Sequence, residues 1–249
     1  PALGITNRRN HRIDYFQQSS YQNGETMVLD SQVGTDFVDP KNSYLKLKVT
    51  PVGVDCDFAS GSAANVINRI LVRTRTGKEV CRLENANLLT KYIQTYDCPK
   101  DWEETLGKAQ GYNAGATTVP TTGKVFIIPM WIVPCFNVDK LLPPQMTTGL
   151  RIEILLDTPG TALRGDGPGL TAYTVDRPEI HWDTHDLADQ FKRKIGEMAA
   201  KQGLNVVHKE FFHTIVSGGA ATSYNFDVKK AASKALRLDV ISRSPADVD

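Results

Sequence analysis

The stretch Tyr44–Thr50, YLKLKVT, alternates strictly between polar and apolar residues. Side chains of a β-strand point alternately to the two faces of a sheet, so a period of two predicts a strand with one buried face and one face in water. The stretch Leu150–Leu156, LRIEILL, repeats the pattern with apolar residues at every even position. Both stretches therefore predict strands of a two-faced sheet.

Other short strands precede, separate and follow these two. Ile70–Thr74 and Glu79–Leu83 flank a Thr-Gly dipeptide, which predicts a β-hairpin. Val125–Val133 is apolar on both parities, which predicts a strand buried on both faces. Tyr173–Val175 and Ile180–Trp182 supply a last strand pair.

Pro178 stands between the last two strands and predicts a sheet edge or a bend there. In all, about eight strands lie between residues 20 and 184, separated by connections rich in proline and glycine. This spacing predicts an all-β fold, an antiparallel sandwich or barrel, rather than an α/β fold.

Helical spacing interrupts the strands twice. Glu84–Tyr96 and Leu187–Gln202 carry apolar stripes, and Asp186 is a candidate N-cap for the second helix. Asp101–Gly123 and Thr158–Thr171 are long and rich in glycine. Because a compact β domain does not need such long loops, we expect functional surfaces there.

Composition excludes several classes of protein. The 249 residues carry a net charge of +1, so no global basic field indicates a nucleic-acid partner. The basic cluster of Arg8, Arg9, His11 and Arg12 makes nucleic-acid contact possible, but the cluster is more typical of a solvated, mobile terminus. No apolar run reaches the roughly 18 residues that a membrane span needs. The four cysteines lack zinc-binding or redox spacing, which fits a reducing compartment.

One cluster offers candidate metal ligands, namely His181, Asp183, His185 and Asp186. On a strand, the first three would share one face, and they could bind a metal ion or form a polar strand edge. A cupin-type metal enzyme would need histidines inside its barrel, whereas these histidines lie near the chain ends or after the main strands. No GxSxG frame for a serine hydrolase is present.

The sequence therefore provides no catalytic, cofactor-binding or metal-binding assignment and no cofactor. We expect a protein that is not an enzyme and that acts through its surfaces by self-assembly.

The end of the chain repeats the pattern of its beginning. A basic and aromatic lead-in, a glycine turn and two strands occupy residues 11–49 and again residues 208–241. A period near 200 residues indicates a duplicated domain rather than a solenoid repeat.

Three stretches resemble major capsid proteins of double jelly-roll viruses, the lineage of adenovirus hexon and the polinton-like viruses. They are the hairpin and helix start at 64–87, the strands and leucine-proline turn within 126–154, and the strand leading into a helix at 173–191. The resemblance implies two eight-stranded antiparallel jelly-roll sandwiches in one chain. It also implies homotrimers that form pseudo-hexagonal capsomers, and an icosahedral shell of a DNA virus.

The same resemblance implies domain boundaries. Residues 1–186 would form the first jelly roll, residues 187–203 the linking helix, and residues 204–249 the opening strands of a second roll whose remainder lies beyond Asp249. The chain would assemble inside the host cell and reside in the virion capsid. Its partners would be other copies of itself, with penton and minor capsid proteins.

Two alternatives remain open at this stage. The chain could be a single jelly-roll capsid or virion-surface protein with an extension after residue 186. It could also be a carbohydrate-binding or cupin-like module.

Overall fold

The structure is a computed structural model that describes residues 8–59, 61–112, 119–165, 169–204, 207–208 and 210–212. Its strands are β1 (Arg8–Tyr15), β2 (Ser20–Gln22), β3 (Thr26–Asp30), β4 (Phe37–Val52), β5 (Cys56–Phe58), β6 (Ile67–Arg73), β7 (Glu79–Leu83), β8 (Lys124–Pro129), β9 (Arg151–Leu156), β10 (Leu163–Gly165) and β11 (Ala172–Asp186). Its α-helices are α1 (Ala86–Tyr96), α2 (Lys100–Trp102), α3 (Pro144–Thr147), α4 (Pro159–Ala162) and α5 (Asp189–Gln202).

Two antiparallel sheets form the body of the molecule. One, here called the β11 sheet, has the order β1-β11-β4-β8, with β2 pairing β11 beyond the end of β1. The other, the β9 sheet, has the order β3-β9-β6-β7. The short pair β5 and β10 stands apart from both.

This strand order is that of a jelly roll. When β1 and β2 are taken as one interrupted strand and the small β5–β10 pair is left out, the main strands follow the orders 1-8-3-6 and 2-7-4-5 along the two sheets. A double sheet of eight strands built from two Greek keys is the jelly-roll architecture. The expected all-β, antiparallel sandwich is therefore confirmed for the described residues.

The alternating residues place the core between the sheets. In β4 the residues at 45, 47 and 49 are buried and their neighbours are partly exposed, and β9 shows the same alternation. The central side chains are at most 2% exposed; they include Leu47, Val49, Phe126 and Trp182 from the β11 sheet and Met27, Leu29, Ile152 and Ile154 from the β9 sheet.

The predicted hairpin is present. The strand predicted to be buried on both faces is shorter than expected, and only one of its faces is buried, since Val125 is 52% exposed. β6 and β7 pair around a turn in which Gly77 takes φ 83°. β8 ends at Pro129 instead of Val133, and residues 130–132 and 134–136 form 3₁₀ turns. Because Pro129 and Pro134 lack an N–H group, they cannot continue a strand ladder through this segment.

The last two predicted strands are one strand in the middle of a sheet. β11 passes through Pro178 without ending, flanked by β4 on one side and by β1 and β2 on the other. The bend is real, since the register shifts between Asp176 and Glu179 and Arg177 takes φ 48°. The expectation of a sheet edge at Pro178 was wrong.

The two long helices lie where the sequence predicted them, with one corrected boundary. α1 begins at Ala86, and α5 ends before Gly203, which takes φ 73°. Asp186 is not the N-cap of α5, because β11 continues through Asp186 and α5 begins three residues later.

The predicted long loops contain some regular structure in their described parts. Residues 101–123 include the end of α2 and a π-helical turn over 103–107, and residues 158–171 include α4 and β10. The strands predicted within 218–241, which would open a second roll, lie outside the described residues. Over the part that the structure describes, no helix is both long enough and apolar enough to cross a membrane.

Candidate interaction surface

The outer face of the β11 sheet carries the residues that the sequence singled out. After the bulge in β11, Trp182 and its even-numbered neighbours point into the core. Since side chains alternate along a strand, Glu179, His181, Asp183 and His185 share the opposite face. The predicted common face of His181, Asp183 and His185 is therefore present.

His181 is the centre of a polar cluster on this face. Its Nδ1 lies 2.6 Å from Nε2 of His11 on β1, and its Nε2 lies 2.8 Å from Oε1 of Glu179. The ring of Tyr44 on β4 stacks on it with centroids 4.7 Å apart. If His181 donates from Nε2 to the carboxylate, its Nδ1 accepts from His11, so one neutral tautomer satisfies both contacts.

Glu179 is held in its charged form. Its Oε1 also accepts a hydrogen bond from Nζ of Lys46, at 2.6 Å. Burial raises the pKa of Glu179, but the hydrogen bonds from Lys46 and His181 outweigh burial and lower it below its ordinary value. The same hydrogen bond raises the pKa of Lys46. The pair therefore joins β4 to β11 across the face.

A second ionic cluster lies near the end of β11. Arg9 on β1 donates from Nε to both carboxylate oxygens of Asp183, at 2.8 and 2.9 Å, and from Nη2 to Oδ2 at 2.5 Å. Asp183 is only 5% exposed, and a buried charge needs a partner. Arg9 of the neighbouring strand provides that partner. The hydrogen bond with Asp183 raises the pKa of Arg9.

The metal hypothesis can be tested against this geometry. Ligand atoms of Asp39, Asp183 and His185 lie within 4.8 Å of one another. However, Arg9 already occupies both oxygens of Asp183, and Asp39 accepts from the backbone N–H of Lys41 and from the side chain of Asn42.

The other two members of the predicted ligand set point to different partners. His181 contacts His11 and Glu179, while Asp186 pairs with Lys192 on α5. Of the predicted set, Asp183 and His185 therefore lie near Asp39, while His181 and Asp186 are each engaged elsewhere.

The basic cluster near the start of the chain is not a free terminus over its described part. Residues 8–15 form β1, and Arg12 binds the carboxylate of Asp36 at 3.2 Å, in addition to the pairing of Arg9. These residues are exposed to solvent as expected, but they belong to a strand paired with β11 and not to a free, mobile end. The side chain of Arg8 is outside the described set.

A groove and several apolar side chains complete the face. The groove has a volume of about 620 Å³ and is lined by residues including Lys46, Lys48, Val125, Asp176 and Arg177. Val125 is 52% exposed, and Tyr15 on β1 is 70% exposed. Apolar side chains among charges that are already paired form a surface suited to contact with another protein.

Two tryptophans and three histidines also have defined positions relative to the two sheets. Trp182 is 1% exposed and meets Phe136 edge to face at 5.6 Å, and Trp131 packs partly buried against the core. His11, His181 and His185 lie on the outer face of the β11 sheet. A cupin site would need histidines between the sheets.

The partners of these residues could not be read from the sequence. Arg9 and Asp183 are 174 positions apart, and Lys46 and Glu179 are 133 apart. The local signal was the alternation that places His181, Asp183 and His185 on one strand face. Pairing of β1 and β4 with β11 supplies the rest.

Comparison with known proteins gives a structural match only. No protein-family model and no curated protein sequence matches the chain. Among solved structures, VP54 of PBCV-1, fitted into a cryo-EM reconstruction of the virophage Sputnik, matches with a TM-score of 0.52 at 14% identity. That match covers 76% of this chain and 46% of VP54.

Two further capsid structures are similar. A quasi-atomic model of the PBCV-1 virus capsid matches with a TM-score of 0.50 at 14% identity, over 75% of this chain and 45% of the other. The MCP of STIV has a TM-score of 0.42 at 13% identity, over 78% of this chain and 54% of the other. The chain thus spans about half the length of the solved proteins it matches. Its described part has the jelly-roll fold of viral capsid proteins, as the sequence resemblance predicted.

Proposed function

We propose that this chain is part of a structural major capsid protein. Three copies would form a pseudo-hexagonal capsomer, and capsomers would assemble into an icosahedral shell. The observation that carries the proposal is the jelly-roll strand order, 1-8-3-6 over 2-7-4-5, in a fold that matches the structure of VP54 over 76% of the chain. The role is structural rather than enzymatic, and its place is the virion.

A second jelly roll is part of the proposal. The matched region accounts for 46% of VP54, which leaves room for another domain of similar size. The pattern that begins near His208 repeats the opening of the first roll, and α5 lies between the two. We infer that residues 1–186 are the first roll, 187–203 the link and 204–249 the start of the second.

The physics of such an assembly is consistent with this fold. A jelly roll is a stiff double sheet, and its end loops can vary while the strands keep their shape. Two rolls per chain place six similar wedges in a trimer, so three identical subunits approximate six-fold packing.

The outer face of the β11 sheet suits burial against a neighbour. The charges of Asp183 and Glu179 have partners within the same sheet, Arg9 and Lys46. A buried charge without a partner is strongly destabilising in an interface. Covering this face avoids that cost, because both carboxylates keep their partners. We propose it as a contact surface within or between capsomers.

The test uses the native, full-length protein. Mass photometry and negative-stain imaging of the purified protein should show particles of three chains with a hexagonal outline. Salt-sensitive binding to nucleic acid should be weak, because the basic residues Arg9 and Arg12 are engaged in ion pairs. Penton and minor capsid proteins should copurify with virions that contain it.

Two results would overturn the proposal. A native protein of about 27 kDa that stays monomeric at tens of micromolar would rule out the double-roll trimer. Round or ring-shaped oligomers without three-fold symmetry would rule out the capsomer while leaving a self-assembling jelly roll.

A further inference from the structure

Two cysteines from different secondary-structure elements contact each other in the folded domain. Cys81 is in the middle of β7, the last strand of the β9 sheet, and Cys135 is in the 3₁₀ turn Pro134–Phe136. The turn packs directly on β7. The two side chains are 2% and 7% exposed, and their thiols are joined by a hydrogen bond.

The other two cysteines lie in different parts of the chain. Cys56 is on β5, and Cys98 follows α1, half-buried. No disulfide joins any of the four, all of which are in described positions. Cys81 and Cys135 are 54 positions apart in sequence, so their contact is created by the fold and could not be predicted from spacing.

The contact makes the two thiols chemically unequal. The hydrogen bond from Cys135 lowers the pKa of Cys81 despite its burial. The same hydrogen bond, together with burial, raises the pKa of Cys135. Since the thiolate is the nucleophile in thiol oxidation, the direction of these shifts favours Cys81 as the attacking sulfur and Cys135 as the sulfur that follows.

We propose that Cys81 and Cys135 are a disulfide-forming pair, oxidised by peroxide within the folded domain. The Cys81 thiolate attacks one oxygen of hydrogen peroxide; an S–O bond forms, the O–O bond breaks, and hydroxide leaves. The Cys135 sulfur then attacks the sulfenic acid, forming the S–S bond and releasing water as the Cys135 proton is lost. Two thiols and one peroxide thus give one disulfide and two waters.

The position of the pair explains how an oxidant reaches it. Among the described strands, β7 is the last of its sheet and pairs with β6 alone. Edge elements undergo local opening more readily than central strands, and peroxide is small enough to enter during such opening. The disulfide would tie this edge to the segment that follows β8 and would close a loop that contains α1.

Closing that loop constrains the unfolded chain and should raise the melting temperature by about 10 °C. The gain should be reversed by dithiothreitol. This chemistry belongs to the folded roll itself and does not depend on the capsid role.

Peptide mapping of the full chain tests the pair without any substitution. The folded protein is treated with hydrogen peroxide, remaining thiols are alkylated, and the protein is digested with trypsin. Cleavage after lysine and arginine places Cys81 in Glu79–Arg82 and Cys135 in Val125–Lys140. The expected product is these two peptides joined by a disulfide, two hydrogens lighter than their sum, in unreduced samples only.

Matched variants separate the pair from the other cysteines. Cys81→Ala and Cys135→Ala should each abolish the linked peptide and the rise in melting temperature, whereas Cys98→Ala should leave both unchanged. The inference is overturned if peroxide leaves Cys81 and Cys135 alkylatable while Cys98 reacts. It is also overturned if Cys81 links to Cys56 or Cys98, or if it stops at the sulfinic acid.

Discussion

Asn87, at the start of α1, makes a buried side-chain hydrogen bond that attaches α1 to the sandwich. Its Nδ2 donates to Oδ2 of Asp157 at 2.7 Å, and both residues are at most 7% exposed. The other carboxylate oxygen accepts the backbone N–H of Thr158 at 2.8 Å. Replacing Asn87 with alanine therefore leaves one oxygen of a buried carboxylate without this partner, directly after β9.

The magnitude follows from these contacts. A hydrogen bond to a charged group contributes about 1.5–3 kcal/mol, and an unsatisfied buried acceptor keeps its full desolvation cost. The lost side chain adds roughly 1 kcal/mol of packing. Asn87→Ala should therefore lower the free energy of unfolding by about 2–4 kcal/mol. With a urea slope of about 2 kcal/mol/M, the unfolding midpoint should fall by about 1–2 M.

Urea unfolding followed by tryptophan fluorescence measures this change. Asn42 provides the matched control, because its Nδ2 donates to Oδ2 of Asp39 at the same kind of distance, 2.8 Å, but on the exposed surface. Asn42→Ala should cost less than about 0.5 kcal/mol. A double-mutant cycle between Asn87→Ala and Asp157→Ala should give a coupling energy of at least about 1.5 kcal/mol.

Two results would refute this reasoning. If Asn87→Ala costs no more than Asn42→Ala, the buried hydrogen bond does not anchor α1. If the costs of Asn87→Ala and Asp157→Ala simply add in the double variant, the two side chains are not energetically coupled.

Three other predictions concern the sheet and the core. Glu179→Gln should lower the free energy of unfolding by about 1–2 kcal/mol at pH 7. Because the hydrogen bonds from Lys46 and His181 hold the pKa of Glu179 below its ordinary value, this contribution is present above the pKa of an unfolded glutamate and is lost as the pH falls through the folded pKa, so the thermal melts of the two proteins should converge only in acid, below the ordinary pKa. Gly111→Ala should lower the free energy of unfolding in urea by about 2–5 kcal/mol, since Gly111 has φ +73° and a Cβ there would lie 2.7 Å from the ring of Phe126. The control Gly24→Ala should lower it by only about 1–2 kcal/mol, because Gly24 has φ +80° but a Cβ there would meet open space. Trp182→Phe keeps an aromatic ring in the core but removes the 2.8 Å hydrogen bond that Nε1 donates to a carboxylate of β1, and calorimetry should show a loss of about 1–3 kcal/mol.

The fold was predictable where one strand face is buried and the other is wet. The alternation in β4 and β9 identified each strand and the face that packs on the core, because a period of two has no helical equivalent. Where both parities are apolar, as in Val125–Val133, periodicity carried no information about where the strand stops. The stop at Pro129 comes from backbone chemistry instead.

The contacts on the outer face of the β11 sheet were predictable only in part, because most of them join residues that are far apart in the sequence. Alternation indicated correctly that His181 and Asp183 share a face, and nothing more. Their partners His11 and Arg9 arrive from β1 at the far end of the chain. A single sequence contains no local signal for such pairs, because strand order and register decide them. The same limit hid the contact between Cys81 and Cys135.

Pro178 shows how a rule that is correct locally can fail in a sheet. Proline cannot donate to a ladder, so a central strand should exclude it. Here Pro178, which lacks an N–H group, lies at a position where neither flanking strand pairs with β11. On the β4 side the register skips from Asp176 to Glu179, and on the other side β1 ends opposite Glu179 and β2 begins opposite Asp176.

The interruption between β1 and β2 therefore has a structural counterpart in β11. The bulge fills the gap between the two short strands, and the N–H of Arg177 donates to the carbonyl of Ser19 at 2.7 Å within it. The left-handed φ of Arg177 costs about 1–2 kcal/mol, and it redirects the chain so that the core parity changes from Val175 to Ile180. One local distortion thus lets a single strand serve two partners on one edge, and it also forms the wall of the groove on the outer face.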